Sequence, residues 1–403
     1  MKKLLVAVVV ALIGWGGTVP SFAFENQFGG AWSLSMYRQG DFDGDAASTY
    51  DEDDVAQADS QTRIYYTAII NENLKFVNKF EVDILWGGQD TPGTNDSAGD
   101  IGADGISVEV KNSYVDFTMG SVNTKIGTQA ATIHRGFVFD DDFSGIIVTT
   151  GMVTGLYAKI VEGGDGMGDD QALYHLSASY ELGNVTLVPA LTYIDLDEDR
   201  NLYFLGLDVD VTFDKGSLWG TFIYNGGDLG GNVDLSAWLA AAGFDMTVTG
   251  MFSFHGQAFY ATGDDDDTDA NDFGASTSFG WYGQSYYWAE IMGYGLFDYQ
   301  ASANSPADAI SNITAINLGI TVAPTDKLTC TLDVWYAVLN EEIQAGLDES
   351  LGTEIDFFIS YELIEDLYLD FAAAYLFAGD STTSGAADSK NPYEIGTMLS
   401  LSF

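Results

Sequence analysis

The sequence predicts an all-β fold: a transmembrane antiparallel up-and-down β-barrel of about 18 strands, with 16 as the alternative. Three observations predict it. Extended segments carry apolar residues on one face and polar residues on the other, connections alternate between tight and long, and the last strand, Tyr393 to Phe403, ends on an aromatic residue. Composition agrees, with 46 Gly, 22 Tyr, 25 Phe and 8 Trp against 6 Pro in 403 residues, an inventory of turns and strands.

Residues 1–23 read as a signal peptide. Lys2 and Lys3 precede an apolar run from Leu4 to Gly17, and Ser21-Phe22-Ala23 offers small residues where a signal peptidase cuts. That run is shorter than the roughly 18 apolar residues a spanning helix needs. Residues 24–403 then form the barrel, since no later segment reaches spanning-helix length without charge or glycine. The one cysteine, Cys330, admits no intramolecular disulfide, so pairing and burial must hold the fold.

Strands are expected near 28–38, 62–70, 74–86, 107–119, 122–129, 143–150, 152–161, 171–182, 185–195, 202–213, 217–225, 233–243, 246–262, 316–323, 328–339, 353–363, 367–378 and 393–403. Asn71-Glu72-Asn73, Gly120-Ser121, Gly183-Asn184, Asp214-Lys215-Gly216, 324–327 and Ile364-Glu365-Asp366 read as tight turns. Between them lie acidic or glycine-rich loops at 39–61, 87–106, 130–142, 162–170, 196–201, 226–232, 263–315, 340–352 and 379–392. Tight periplasmic turns and longer outside loops give this alternation, and both chain ends then face the periplasm.

Faces supply the next test. Ile355, Phe357, Ile359, Tyr361 and Leu363 oppose Glu354, Asp356, Ser360 and Glu362, while Tyr203, Leu205, Leu207, Val209, Val211 and Phe213 oppose Asp208, Asp210 and Thr212. The wide apolar faces end in aromatic residues and the charges share the other face, the pattern of a lipid-facing exterior and a polar lumen. In the last strand Tyr393, Leu399, Leu401 and Phe403 share the apolar face.

The run LKFVNKFEVD at 74–83, the segment KNSYVDFTMGSVNTKIGTQ at 111–129 and the terminal YEIGTMLSLSF resemble porins of the alginate-export and related 18-strand families. The resemblance implies a passive diffusion channel for ions and small hydrophilic solutes in the outer membrane of a Gram-negative bacterium. It also implies that Tyr393, Leu399, Leu401 and Phe403 form the signal read by the barrel assembly machinery, with outer-membrane lipid around the barrel and a homotrimer among the assemblies it admits. This chain reads Gly127-Thr128-Gln129 where alginate exporters carry Gly-Arg-Gln, which argues against a polyuronate solute.

The formal charge of −46, from 14 Lys+Arg and 60 Asp+Glu, makes nucleic acid and anionic surfaces poor partners and favours cations. Strand parity points Arg63, Lys75, Lys79, Glu81, Asp83, Lys125 and Lys159 into the lumen from early strands, and Asp208, Asp210, Asp333, Glu354, Asp356 and Asp370 from later ones. A basic arc facing acidic arcs sets a transverse field and an ion preference, here for cations; mutual neutralisation in a packed lumen is the plainer reading. A Lys or Arg on the lipid face near the midplane would cost roughly 2–4 kcal/mol.

Loop 130–142 carries His134 and Arg135 ahead of Asp140, Asp141 and Asp142 and is the candidate constriction loop. The stretch 263–315 has an aromatic centre, Gly280 to Tyr299, which must pack on the barrel mouth or on a partner. Asp41, Asp43, Asp45 and Glu52 imitate EF-hand spacing, but Ala46 stands where that loop needs glycine; weak Ca²⁺ binding in an outside loop is the most they suggest, and no cofactor is expected. His134, His175 and His255 lie on separate segments and no hydrolase or phosphate-loop motif occurs, so no enzyme is expected. Two alternatives remain: a structural or sheathing barrel plugged by loops or a partner protein, and an enzyme site assembled at the rim.

Overall fold

The structure, a computed structural model, describes residues 24–45, 54–87, 99, 108–163, 170–196, 200–231, 233–264, 270–274 and 283–403; the expected signal peptide and Glu52 lie outside the described residues. The strands are β1 (Glu25–Gly40), β2 (Val55–Asn71), β3 (Leu74–Leu85), β4 (Glu109–Met119), β5 (Val122–Ile133), β6 (Phe139–Thr150), β7 (Val153–Val161), β8 (Gln171–Ala178), β9 (Tyr180–Leu182), β10 (Val185–Asp195), β11 (Asn201–Phe213), β12 (Gly216–Asp228), β13 (Asp234–Thr247), β14 (Phe252–Ala261), β15 (Ile313–Thr325), β16 (Leu328–Leu339), β17 (Ser350–Ile364), β18 (Leu367–Ala378) and β19 (Tyr393–Ser402). β8 and β9 both pair with β10 and are two halves of one crossing broken at Ser179, so the wall has 18 crossings.

Each crossing pairs antiparallel with its sequence neighbours, and β1 pairs with β19 from Ala31 opposite Ser402 to Gly40 opposite Tyr393. The sheet therefore has no free edge, which satisfies every strand's backbone groups within lipid. Alternation sets the faces. Leu205 on β11 is 57% exposed and Leu318 on β15 is 62% exposed, while Phe204, one residue away from Leu205, is wholly buried inside.

Three sequence expectations need correction. Some wall strands, among them β1, β2, β12, β15 and β17, run further than expected toward the loop end; β2 begins at Val55, so the connection expected at 39–61 spans 41–54. The loop expected at 130–142 is mostly strand, because the β5–β6 ladder continues through Ala130 opposite Asp142, Ala131 opposite Asp141, Thr132 opposite Asp140 and Ile133 opposite Phe139. Asp140, Asp141 and Asp142 thus belong to β6, and only His134–Val138 connect the strands.

The third concerns the lumen, which is not polar throughout. Ile194, Leu202, Phe204, Ile223, Leu239, Phe259, Ile313, Trp335 and Leu376 face inward at the loop end of the barrel and join one buried cluster with Phe137, Val138, Trp288, Ile291, Met292 and Ile310. These strands are apolar on both faces there because chain folded into the barrel covers the inner one.

Candidate functional site: a partly filled lumen

Two segments enter the lumen. The first is the β5–β6 hairpin. β4 pairs with β5 only up to Ser113 opposite Thr128, and β6 pairs with β7 only from Ser144 opposite Lys159. Residues 129–143 therefore pair only with each other and leave the wall as a free-standing hairpin. The departure is at Gly127, directly opposite Gly145. Gly127 has φ +137, and a Cβ there would lie 2.2 Å from the Ser113 carbonyl oxygen; one at Gly145 would lie 2.0 Å from that of Tyr157. Only glycine lets the two strands bend across the neighbouring backbone.

The hairpin tip reaches β11, past β7, β8/β9 and β10. His134 Nδ1 lies 2.8 Å from Asp208 Oδ2, and Arg135 Nη2 donates to Asp210 Oδ1 at 2.8 Å. Arg135 Nε donates to Thr221 Oγ1 at 3.1 Å, Thr221 Oγ1 donates to Asp208 Oδ1 at 2.6 Å, and the guanidinium stands over the Trp219 ring at 4.9 Å. Gly206 leaves room for the imidazole, since a Cβ there would lie 2.4 Å from His134 Nε2. Asp208 sits seven positions below the loop end of β11, on the order of 20 Å along the strand, so the tip is deep in the barrel.

The second segment is the loop between β14 and β15, whose run from residue 283 to 312 is described without a break. It packs on the hairpin: Ser285 N donates to Gly136 O at 3.1 Å, Asp140 N to Gly283 O at 2.9 Å, and the Tyr286 ring stacks on Phe137 with centroids 3.9 Å apart. Trp288 packs edge-on against Phe259 and Trp335 at 5.3 and 5.1 Å and donates from Nε1 to Ala307 O at 2.8 Å. Further down, Glu354 on β17, fully buried, accepts from the Ile291 and Met292 amides at 2.6 and 3.0 Å. Glu290 accepts from Leu296 N at 3.0 Å and reaches the carboxyl of Glu394 on β19, while Glu354 reaches that of Asp356. Gln39 Nε2 donates to Glu394 Oε2 at 2.6 Å. Among the described residues no lysine or arginine pairs with Glu290, Glu354, Asp356 or Glu394. Burial pushes the Glu290 carboxyl above the usual carboxylate range, and the Leu296 amide offsets part of that.

The lumen stays open on the side of β1–β5. Leu296–Tyr299 on the loop touch the wall at Tyr37 of β1, on which Phe297 stacks, and otherwise border a cavity of about 560 Å³ lined by β1–β3. Arg63 Nε is hydrogen-bonded to Glu81, which also faces Lys111 Nζ at 3.6 Å; Lys111 Nζ lies 3.2 Å from Asp142. Lys79 Nζ stands over the Tyr65 ring at 5.7 Å and Lys125 Nζ over the Tyr114 ring at 5.8 Å.

The remaining candidates divide. Asp83 lines the cavity. Asp333 Oδ1 lies 2.7 Å from His255 Nε2 and accepts from Asn317 at 2.9 Å. Lys159 does not line the lumen as expected: Leu156 and Ala158 take the inner face of β7, and Lys159 shares the outer face with Tyr157, whose ring packs on Tyr174. It pairs with Glu162 and, at 2.9 Å, with Asp170 near the loop end. Lys75 lies beside Asp116 in the β3–β4 register, and Asp370 beside Ser360 and Met398. Asp140 accepts from Thr132 Oγ1 at 2.8 Å and Asp141 from the Asp142 amide at 2.6 Å, so neither joins the tip contacts. Asp41 is taken by Lys390 Nζ at 2.7 Å and Asp43 by the Asp45 amide at 3.1 Å; among the described residues no group of three ligand side chains is placed to hold a metal ion. His175 bonds Thr192 Oγ1 at 2.9 Å, so the three histidines each have a partner inside the barrel rather than meeting at its rim.

An 18-crossing antiparallel barrel, closed by its terminal strands and narrowed from within, has the fold of solved outer-membrane porins. Solved structures with this fold include OccAB3 of Acinetobacter baumannii (TM-score 0.60, 10% identity, 94% of this chain and 100% of that one) and OccK9 (OpdG) of Pseudomonas aeruginosa (0.59, 12%, 94% and 99%). A BenF-like porin from Pseudomonas fluorescens Pf-5 gives 0.58 at 12% identity over 94% and 99%. No family model and no curated protein matches the sequence. These neighbours support the porin side of the sequence resemblance and do not bear on its alginate-export side.

Proposed function

We propose that the chain is an outer-membrane porin through which ions and small hydrophilic solutes diffuse, with a preference for cations. The observation that carries this reading is the division of the lumen: hairpin and loop pack against the β10–β19 side and leave the charged β1–β5 side facing open space. Cation preference follows from Asp59, Asp83 and Asp298 around the open cavity, where Arg63 is already paired with Glu81, and from an acid excess of −46 overall. Recording of the purified barrel in a planar bilayer under a KCl gradient tests it. A reversal potential of cationic sign supports the reading, and anion selectivity or silence overturns it.

The packed loop also favours a second reading, a barrel sealed by its own chain or sheathing a periplasmic partner. A silent bilayer together with a stoichiometric co-purifying protein would support that alternative. In either reading β19 is proposed as the segment the assembly machinery reads, since the Phe403 side chain is exposed at the turn end of the wall. Deletion of Phe403 should leave the chain exported but poorly inserted, scored as loss of the heat-modifiable band on gels.

A further inference from the structure

We infer that the gap between Leu296–Tyr299 and the β1–β3 wall is a recognition eyelet for small organic cations carrying an ammonium or guanidinium head. This rests on the channel reading and gives it a solute class. The gap is a formed cavity of about 560 Å³ with one edge on the folded-in loop and the other on rigid wall. Three of its lining residues are carboxylates from three segments: Asp59 on β2, Asp83 on β3 and Asp298 on the loop.

Among the described residues the one basic side chain in the lining is Arg63, and its guanidinium is already bound to Glu81 beside it. The acidic groups are held for use. Asp298 Oδ1 accepts from Tyr287 OH at 2.9 Å, and Asp59 Oδ2 accepts from Gln57 Nε2 at 3.3 Å, which leaves further acceptor capacity on each carboxylate. Aromatic surface adjoins them. Tyr37 and Phe297 stack with centroids 4.7 Å apart and fix the loop edge, and the Tyr299 ring, 6.2 Å from Tyr37, remains half exposed toward the gap.

Carboxylates that accept N–H donors beside an exposed ring are the chemistry that holds a polar cation with a flat or methylated head. A carboxylate or phosphate solute meets three like charges there and one occupied arginine. The inorganic ions of the porin reading need none of this aromatic surface, so the inference stands apart from simple cation preference.

The test uses the full-length barrel in detergent and methylguanidinium chloride as probe. Saturation-transfer NMR should detect the probe on the wild-type protein, with Asp59→Asn and Asp298→Asn each weakening binding about two- to fivefold, as expected for partly solvated charge pairs. Asp298 has φ +46, a conformation asparagine adopts as readily, so the substitution introduces no backbone strain. Asp326→Asn, in the turn after β15, is the charge-matched control and should leave binding unchanged. No transfer to wild type, or equal transfer in all variants, overturns the eyelet. Conductance in KCl is read separately: a conducting barrel without probe binding loses the eyelet and keeps the channel, and a silent barrel that binds the probe keeps the eyelet and loses the channel.

Discussion

The two sides of the lumen obey opposite chemistry within one sheet. Along β1–β5 the inner face carries Asp59, Arg63, Lys79, Glu81 and Asp83 and borders open space; along β10–β19 it carries Leu202, Phe204, Ile223, Phe259, Trp335 and Leu376 and is sealed by the hairpin and loop. The outer face is apolar on both sides because lipid lies outside everywhere. A strand inside a barrel therefore reports its contents through its inner face: alternating where water stands, apolar on both faces where chain is packed.

The sealed side should be the easier to break. Trp288→Ala removes a side chain packed on Phe259 and Trp335, a change that costs about 3–5 kcal/mol in a core. The loop should leave the lumen, with single-channel conductance rising severalfold and residues 283–312 becoming protease-sensitive. Unchanged conductance would mean the loop does not limit the pore.

Gly145→Val comes next. The added Cβ would meet the Tyr157 carbonyl, so the hairpin must bend elsewhere or stay against the wall, at a cost of roughly 1–3 kcal/mol. A lower unfolding temperature on heat-modifiability gels and loss of the tip contacts of His134 and Arg135 should follow. Wild-type behaviour would refute the glycine hinge.

A smaller effect is expected from pH. Burial raises the Glu290 carboxyl, so the docked loop holds that proton more tightly than the released loop. Docking is then strongest at low pH and weakens as pH climbs through the raised value, with Glu394 on β19, Glu354 and Asp356 on β17 and Asp333 on β16 facing the new charge. Conductance should increase on alkalinisation, and Glu290→Gln should flatten that dependence. An increase on acidification would contradict it.

Smallest is Arg63→Ala on the open side. Glu81 is buried, but Arg63 is about one-third exposed and Lys111 Nζ stays 3.6 Å from Glu81, so the stability change should be on the order of 1 kcal/mol. The reversal potential in a KCl gradient should shift toward stronger cation preference, since Glu81 loses its nearest counter-charge. A shift toward anions would reverse the assignment of that wall.

The sequence carried the wall well and its contents poorly. Period-two alternation and Asn, Gly and Asp turns are local signals, and they placed 18 crossings whose register the closure of β1 on β19 then fixes. Asp208, Asp210, Asp333, Glu354 and Asp356 fell on the inner face because parity is also local. What meets across the lumen is not local. Nothing near His134 in the chain announces Asp208, and nothing near Glu354 announces the amides of Ile291 and Met292. Glu290 and Asp298, on the folded-in loop, were missed as lumen groups for the same reason, whereas Asp59 was missed because the second strand was expected to begin only at 62. Some signals were available: Gly127, Gly145 and Gly206 inside strand patterns mark close backbone or side-chain approach, and Leu202 and Phe204 on an otherwise polar face mark a covered interior.

The measurement that tests the divided lumen most directly is cysteine accessibility. Cys330 is the sole native cysteine, so Cys330→Ser gives a clean background. In it, Gln61→Cys on the open wall should react with a charged methanethiosulfonate within the time of a recording and lower the current, while Ile223→Cys on the sealed wall should stay unmodified. Rapid block through Ile223→Cys with none through Gln61→Cys would contradict the account.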